Sequence, residues 1–234
     1  MSRKIILEPD YYGEGEKLYK KKSVTFEEGV TVLVGCNGIG KTTLLHQIKD
    51  NLRKNKIPYM EYDNLHDGGS NARAQAGFEE NFAFLATSMC ASEGENIIMN
   101  IGQFAGKLRN FILTGKNENH YHRLIESFQA LTDENKKEEH IPDERWILLD
   151  AVDSGLSVDN IVELKEYLFN TILNDDHGKK VYIVVSANEY EMARGENCIN
   201  VYECKNIKFN DYEEYRKCIL ESKKYKEKRL NKGE

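Results

Sequence analysis

The chain has 234 residues, with 33 Lys and Arg against 39 Asp and Glu for a formal charge of −6, and 40% of its residues are hydrophobic. That balance describes a folded chain with a sizeable core and excludes a disordered or low-complexity one. No apolar run approaches the roughly 20 residues that span a bilayer, and the opening Met-Ser-Arg-Lys-Ile-Ile-Leu-Glu-Pro has no apolar stretch of signal-peptide length, so the expectation is a cytoplasmic protein without membrane insertion.

In chain order, residues 4–7 and 24–26 read as short strands, and residues 30–34 (Val-Thr-Val-Leu-Val) as a strand buried on both faces. A glycine-rich turn leads into residues 41–53, where Leu44, Leu45, Ile48 and Leu52 keep helical spacing. Residues 57–62 read as the next strand, residues 67–77 as a polar loop, and residues 78–89 and 97–113 as helices. Residues 120–131 continue as helix, and residues 132–144 form a charged surface loop with its only proline at Pro142. Buried strands follow at 146–149 and 181–185 around an amphipathic helix at 158–173, with an edge strand expected at 198–203. Strands alternating with helices predict an α/β fold with a mainly parallel central sheet flanked by helices.

Five cysteines, an odd number without close-paired spacing, read as reduced thiols. His120 and His122 alternate across a presumed helix start with no third ligand nearby, and read as surface residues. Between Arg216 and Lys232 eight basic residues stand against two acidic ones on an otherwise acidic chain. The expected organisation is one domain over 1–215, with a small helical subdomain at about 72–135, followed by a basic C-terminal tail at 216–234. Such a tail is either a solvated helix or an anion-binding arm.

The chemistry concentrates at Gly35-Cys-Asn-Gly-Ile-Gly-Lys41-Thr42, which fits G-x-x-x-x-G-K-[ST] between a buried strand and a helix. Gly35, Gly38 and Gly40 let the backbone wrap so that its N–H groups face phosphate oxygens, and the helix adds its positive end. Lys41 supplies a mobile charge to the β- and γ-phosphates, and the Thr42 hydroxyl suits Mg²⁺. The apolar strand ending in Asp150 is the natural partner, its carboxylate holding Mg²⁺ through water. The nucleotide-binding set is therefore Gly35, Asn37, Gly38, Ile39, Gly40, Lys41, Thr42 and Thr43.

The wording of these motifs resembles the ATP-binding cassette (ABC) ATPases, in their stand-alone, SMC-like form. Gly35 to Leu45 resembles that family's phosphate loop, Asp150 to Leu156 its second acidic motif running into the D-loop, and Ala91-Ser-Glu-Gly-Glu95 its signature. Ser92 and Glu95 are also spaced as a capping box, which puts a helix start there. The resemblance implies a P-loop NTPase with ATP and Mg²⁺, and a head-to-tail homodimer in which Ser92, Gly94 and Glu95 of one subunit close on the ATP of the other. It also suggests Gln75 as a further Mg²⁺ contact, and Tyr12 or Tyr19 as a stacking partner for adenine.

Two departures bear on turnover. The family's catalytic glutamate position is Ala151, and the strand 181–185 runs into Ser186-Ala187-Asn188-Glu189 without the family's histidine. Asp153 and Glu189 are the candidate substitute bases. The expected function is ATP binding with ATP-driven dimerisation as a switch and weak or absent hydrolysis. The alternative is a DNA-processing or anti-phage module that grips nucleic acid through the basic tail. A transporter energiser is disfavoured, because the stretch from Lys41 to Ser92 is too short for the larger helical subdomain that docks on membrane subunits.

Overall fold

The computed structural model describes residues 2–8, 17–64, 73–74, 76–77, 81–91, 93–116, 141–174 and 177–231. Two strands near the start, β1 (Ser2–Ile6) and β2 (Ser23–Glu27), pair antiparallel as a small separate sheet. The main sheet contains β3 (Gly29–Val34), β4 (Tyr59–Asp63), β5 (Glu144–Asp150), β6 (Lys180–Ser186), β7 (Asn197–Asn200) and β8 (Lys205–Ile207), in the order β4-β5-β6-β3-β7-β8. Every neighbouring pair runs parallel except β7 with β8. The expected α/β architecture with a mainly parallel sheet is what forms.

Alternation along the central strands explains the two-sided core. Val32, Val34, Ile147, Leu149, Ile183 and Val185 face one side, and Leu33, Trp146, Leu148, Tyr182 and Val184 the other. The second face is covered by α1 (Lys41–Lys54) through Leu44, Ile48 and Leu52, and by Ile5, Val24 and Phe26 of the small sheet. The first is covered by α3 (Glu93–Thr114) and by α4, a continuous run of Val158–Glu163, a π-helical turn Leu164–Phe169 and Asn170–Asn174. Each fully buried aliphatic side chain of this kind contributes roughly 1.5–3 kcal/mol. The helix α2 (Phe82–Cys90) belongs to a satellite cluster in which Phe84 meets Ala76.

One buried cation joins these layers. Arg145 is 2% exposed, and its Nε donates to Ile112 O in the last turn of α3 at 2.9 Å. Its Nη1 donates to Glu144 O at 3.0 Å and also to Pro142 O. A positive charge at the carbonyl end of a helix is favourable, although burial pushes the guanidinium pKa down.

Several expectations need correction. The segment expected as an edge strand over 198–203 is β7, an interior strand that turns at 201–204. The true edge is β8, whose Lys-Asn-Ile has no apolar pattern to betray it. The loop expected over 132–144 ends sooner, because Glu144 already pairs with Lys180. The helix expected at 120–131, with His120 and His122, lies outside the described residues.

The C-terminal basic run lies on a helix, one of the two forms expected for it. After the short α5 (Tyr190–Ala193), residues 212–230 form α6 (Tyr212–Leu230), so the boundary expected at 215/216 falls inside a helix. Asp211 caps it by accepting from Glu214 N at 2.9 Å, and the Glu214 carboxylate accepts from Asn210 N at 2.9 Å. Among the described residues no helix is long and apolar enough to cross a membrane.

Candidate functional site

Parallel strands end at a common edge, and in open α/β sheets that edge is where ligands sit. Here the loop 35–40 leaves the end of β3, at the centre of the sheet, and enters α1. Gly40 has φ +113, and a Cβ there would lie 3.3 Å from the Tyr19 hydroxyl, so an L side chain would be strained by the backbone and crowded by the ring. A Cβ on Gly35 would lie 2.8 Å from Ile39 Cγ2. Ile39 itself is fully buried and anchors the loop in the core, with its N–H donating to Cys36 O at 3.2 Å. Tyr19 sits beneath the loop, 4% exposed, and donates to Gly40 O at 2.9 Å. Its ring is therefore part of the floor and has no free face for a base. Tyr12 lies outside the described residues.

Lys41 folds back over the loop and donates to Gly35 O at 2.8 Å. It is 9% exposed, and burial lowers its pKa, opposed by the negative charges of Asp153 and Asp150. Asn37, Gly38 and Thr42 are exposed, whereas Thr43 is buried at 9%. The loop thus closes on its own lysine, and its exposed crown faces outward.

Across from it, Asp150 ends β5 beside the end of β6. It accepts a hydrogen bond from the Ser186 hydroxyl, whose oxygen in turn accepts from Ala151 N at 3.0 Å. Ala151, with φ 52, occupies the left-handed region, so the chain turns sharply just past the carboxylate. Asp153 is 1% exposed, and its Oδ2 accepts from Asn188 N at 2.6 Å and Glu189 N at 2.7 Å. Burial raises its pKa against those two bonds, and its Oδ1 is buried with no hydrogen-bond partner among the described residues. Glu189 is exposed. The structure therefore brings Lys41, Asp150 and Asp153 to one electrostatic neighbourhood.

Other expected site residues are placed elsewhere or not described. Gln75 and Ser92 lie outside the described residues. Gly94 and Glu95 lie in the first turn of α3, which opens at Glu93, one residue after the expected cap, and Glu95 is exposed. All five cysteines are free, and burial raises the pKa of Cys198 to about 12 and of Cys204 and Cys218 to about 11. Among the described residues no group of three or more His, Cys, Asp or Glu is placed to hold a metal ion.

Residue-by-residue reading missed the contacts that reach the loop from α6. Ser222 Oγ accepts from Cys36 N at 2.8 Å, Lys226 Nζ donates to Asn37 O at 3.0 Å, and Arg229 Nη2 donates to Gly38 O at 3.3 Å. Tyr215 donates to Asn188 O at 2.7 Å, next to the amide that holds Asp153. Asp211, three residues ahead of Glu214, was the available signal that a helix begins before the basic run.

The fold and the site define a class: an α/β domain with a strand–glycine-rich loop–helix unit at the carboxyl edge of a mainly parallel sheet. No family model matches the sequence. Over 71 residues, 29% of this chain, it is 39% identical to a DNA double-strand break repair Rad50 ATPase of Methanosarcina mazei. It is 38% identical over 71 residues to the protein of the same name from Methanosarcina acetivorans. The chain spans 7% of the length of these curated relatives. Among solved structures, a nucleotide-free ATP-binding cassette from an ABC transporter superposes with TM-score 0.43 at 15% identity, covering 94% of this chain and 95% of that one.

Proposed function

We propose that this protein is a nucleotide clamp that binds ATP with Mg²⁺ on the loop 35–43. The observation that carries the reading is the pairing of that loop, closed by Lys41 on Gly35 O, with Asp150 and Asp153 close enough to act on the Lys41 charge. Likeness to an ATPase over 71 residues supports it. The donor set suits a hard cation, because the Thr42 hydroxyl and the Asp150 carboxylate offer oxygen, and Mg²⁺ keeps several waters beside one or two protein ligands. Those two residues would hold it, and bound there it would neutralise phosphate charge.

Dimerisation and weak turnover complete the proposal. Two copies would pair head to tail, with Ser92, Gly94 and Glu95 of one facing the ATP of the other. The positive end of a helix opening at Glu93 suits a phosphate. A methyl group at Ala151 neither orients water nor accepts a proton, and β6 ends in Ser186 with Ala187 buried behind it. Asp153 and Glu189 are then the remaining proton acceptors to test. Phosphate release followed together with light scattering decides: dimer formation with Mg·ATP and no release dependent on Lys41 fits the switch. Failure to dimerise overturns the head-to-tail arrangement, and Lys41-dependent release overturns the inert-site reading and makes Asp153 and Glu189 the next variants.

A second reading, nucleic-acid binding, is favoured by the outer face of α6, where Lys217, Lys224 and Lys228 are all exposed at spacings that form one stripe. The relatives' role in DNA double-strand break repair agrees with it.

A further inference from the structure

The contacts of α6 form one stripe. Tyr215, Ser222, Lys226 and Arg229 are spaced seven, four and three residues apart, which at 3.6 residues per turn puts them within about 60° of one another. From that stripe three successive loop residues are held: Cys36 by its N–H, Asn37 and Gly38 by their carbonyls. The Lys226 ammonium lies so close that a Cβ on Gly38 would sit 2.8 Å from Nζ. The helix is itself well anchored. Tyr215, Cys218 and Ser222 are buried, and Tyr225 stacks on Tyr202 with ring centroids 4.3 Å apart.

Holding those carbonyls has a geometric consequence. In a trans peptide the C=O of one residue and the N–H of the next share a plane and point in opposite directions. A cation on Asn37 O therefore aims the Gly38 N–H to the other side of the loop. The next amide, Ile39 N–H, is already bonded to Cys36 O, so the cation on Gly38 O steadies that turn. The helix takes the outward carbonyls of Asn37 and Gly38 and leaves the Gly38 N–H on the opposite side, where a nest for anions would use it. A preset nest loses less freedom when a ligand arrives.

We infer that α6 is a brace for the phosphate loop, with Ser222, Lys226 and Arg229 as positioning residues for nucleotide. This rests on the reading of loop 35–43 as the nucleotide site. The brace acts on the loop, not on the γ-phosphate, so it supports ATP and ADP alike. At its other end Tyr215 ties the same helix to Asn188, and through it to Asp153, so both walls of the site share one support.

The test compares fluorescent ATP and ADP analogues on the wild type, Ser222→Ala, the double variant Lys226→Ala/Arg229→Ala, and the charge-conserving double variant Lys226→Arg/Arg229→Lys. Two charge-assisted bonds at a partly exposed surface predict a roughly tenfold loss of affinity in the double alanine variant, equal for both nucleotides. The charge-conserving variant is expected to recover most of it. Hydrogen exchange without nucleotide reads the brace by itself, with faster exchange at residues 36–38 expected in the double alanine and Ser222→Ala variants. Unchanged exchange and affinity overturn the brace. Tighter binding would make α6 a plug, and a loss confined to ATP would make Lys226 and Arg229 direct γ-phosphate contacts; either result overturns the proposal. A wild type that binds neither nucleotide sinks the reading of the site, while the exchange measurement still judges the brace.

Discussion

Asp153 shows how much one buried carboxyl organises. Its Oδ2 holds two successive amides, of Asn188 and Glu189, so it fixes the loop that follows β6. Burial raises its pKa above the ordinary 3.8. A carboxyl with a raised folded-state pKa binds its proton more tightly in the native chain, so its contribution is fully present below 3.8 and is lost as pH rises through the folded value. Asp153→Asn keeps an acceptor and cannot titrate. Urea unfolding across a pH series should therefore show the Asn variant gaining on the wild type as pH rises through that window; parallel curves would contradict it. Asp153→Ala leaves both amides without an acceptor and should cost about 1–3 kcal/mol more than Asn at one pH.

At the scale of elements, Arg145 is the joint between β5 and the end of α3. Its guanidinium reaches the carbonyls of Ile112, Pro142 and Glu144 from a buried position. Arg145→Met keeps much of the volume and removes every donor, and is expected to cost about 2–4 kcal/mol in denaturant unfolding. A cost below about 0.5 kcal/mol would mean those carbonyls find water without it.

Neither Arg145 nor the brace announces itself in the sequence, and the reason is physical. The core strands are legible because 30–34, 146–149 and 181–185 are apolar runs, and the loop 35–40 because three glycines and a lysine fall at fixed spacing. Arg145 ties its own turn to the carbonyl of Ile112, far away in the chain, which no local pattern records. Lys226 and Arg229 read as two more charges in a basic run, because sequence alone does not say which face of a helix meets the loop. β8 is held by pairing with β7 and by Ile207 alone among its three side chains, too little to form an apolar pattern.

The whole molecule carries two separable cationic faces on α6. Lys226 and Arg229 turn inward to the loop, whereas Lys217, Lys224 and Lys228 are exposed. Removing residues 216–234 would disturb both faces at once and would confuse a nucleic-acid test with damage to the loop 35–40 and the nucleotide site proposed there. Reversing only Lys217, Lys224 and Lys228 to Glu separates them. If the second reading holds, salt-dependent retention on DNA should fall while nucleotide binding is kept; retention that survives the reversal counts against this face.

The measurement that bears most directly on the account is titration of the wild type and Lys41→Ala with a fluorescent ATP analogue in Mg²⁺, with circular dichroism to show that both are folded. Saturable binding by the wild type and a loss of at least roughly tenfold in Lys41→Ala are expected, because removing Lys41 takes away both the positive charge offered to phosphate and the bond that closes the loop on Gly35 O. Equal binding by the two proteins, or none by a folded wild type, would contradict it.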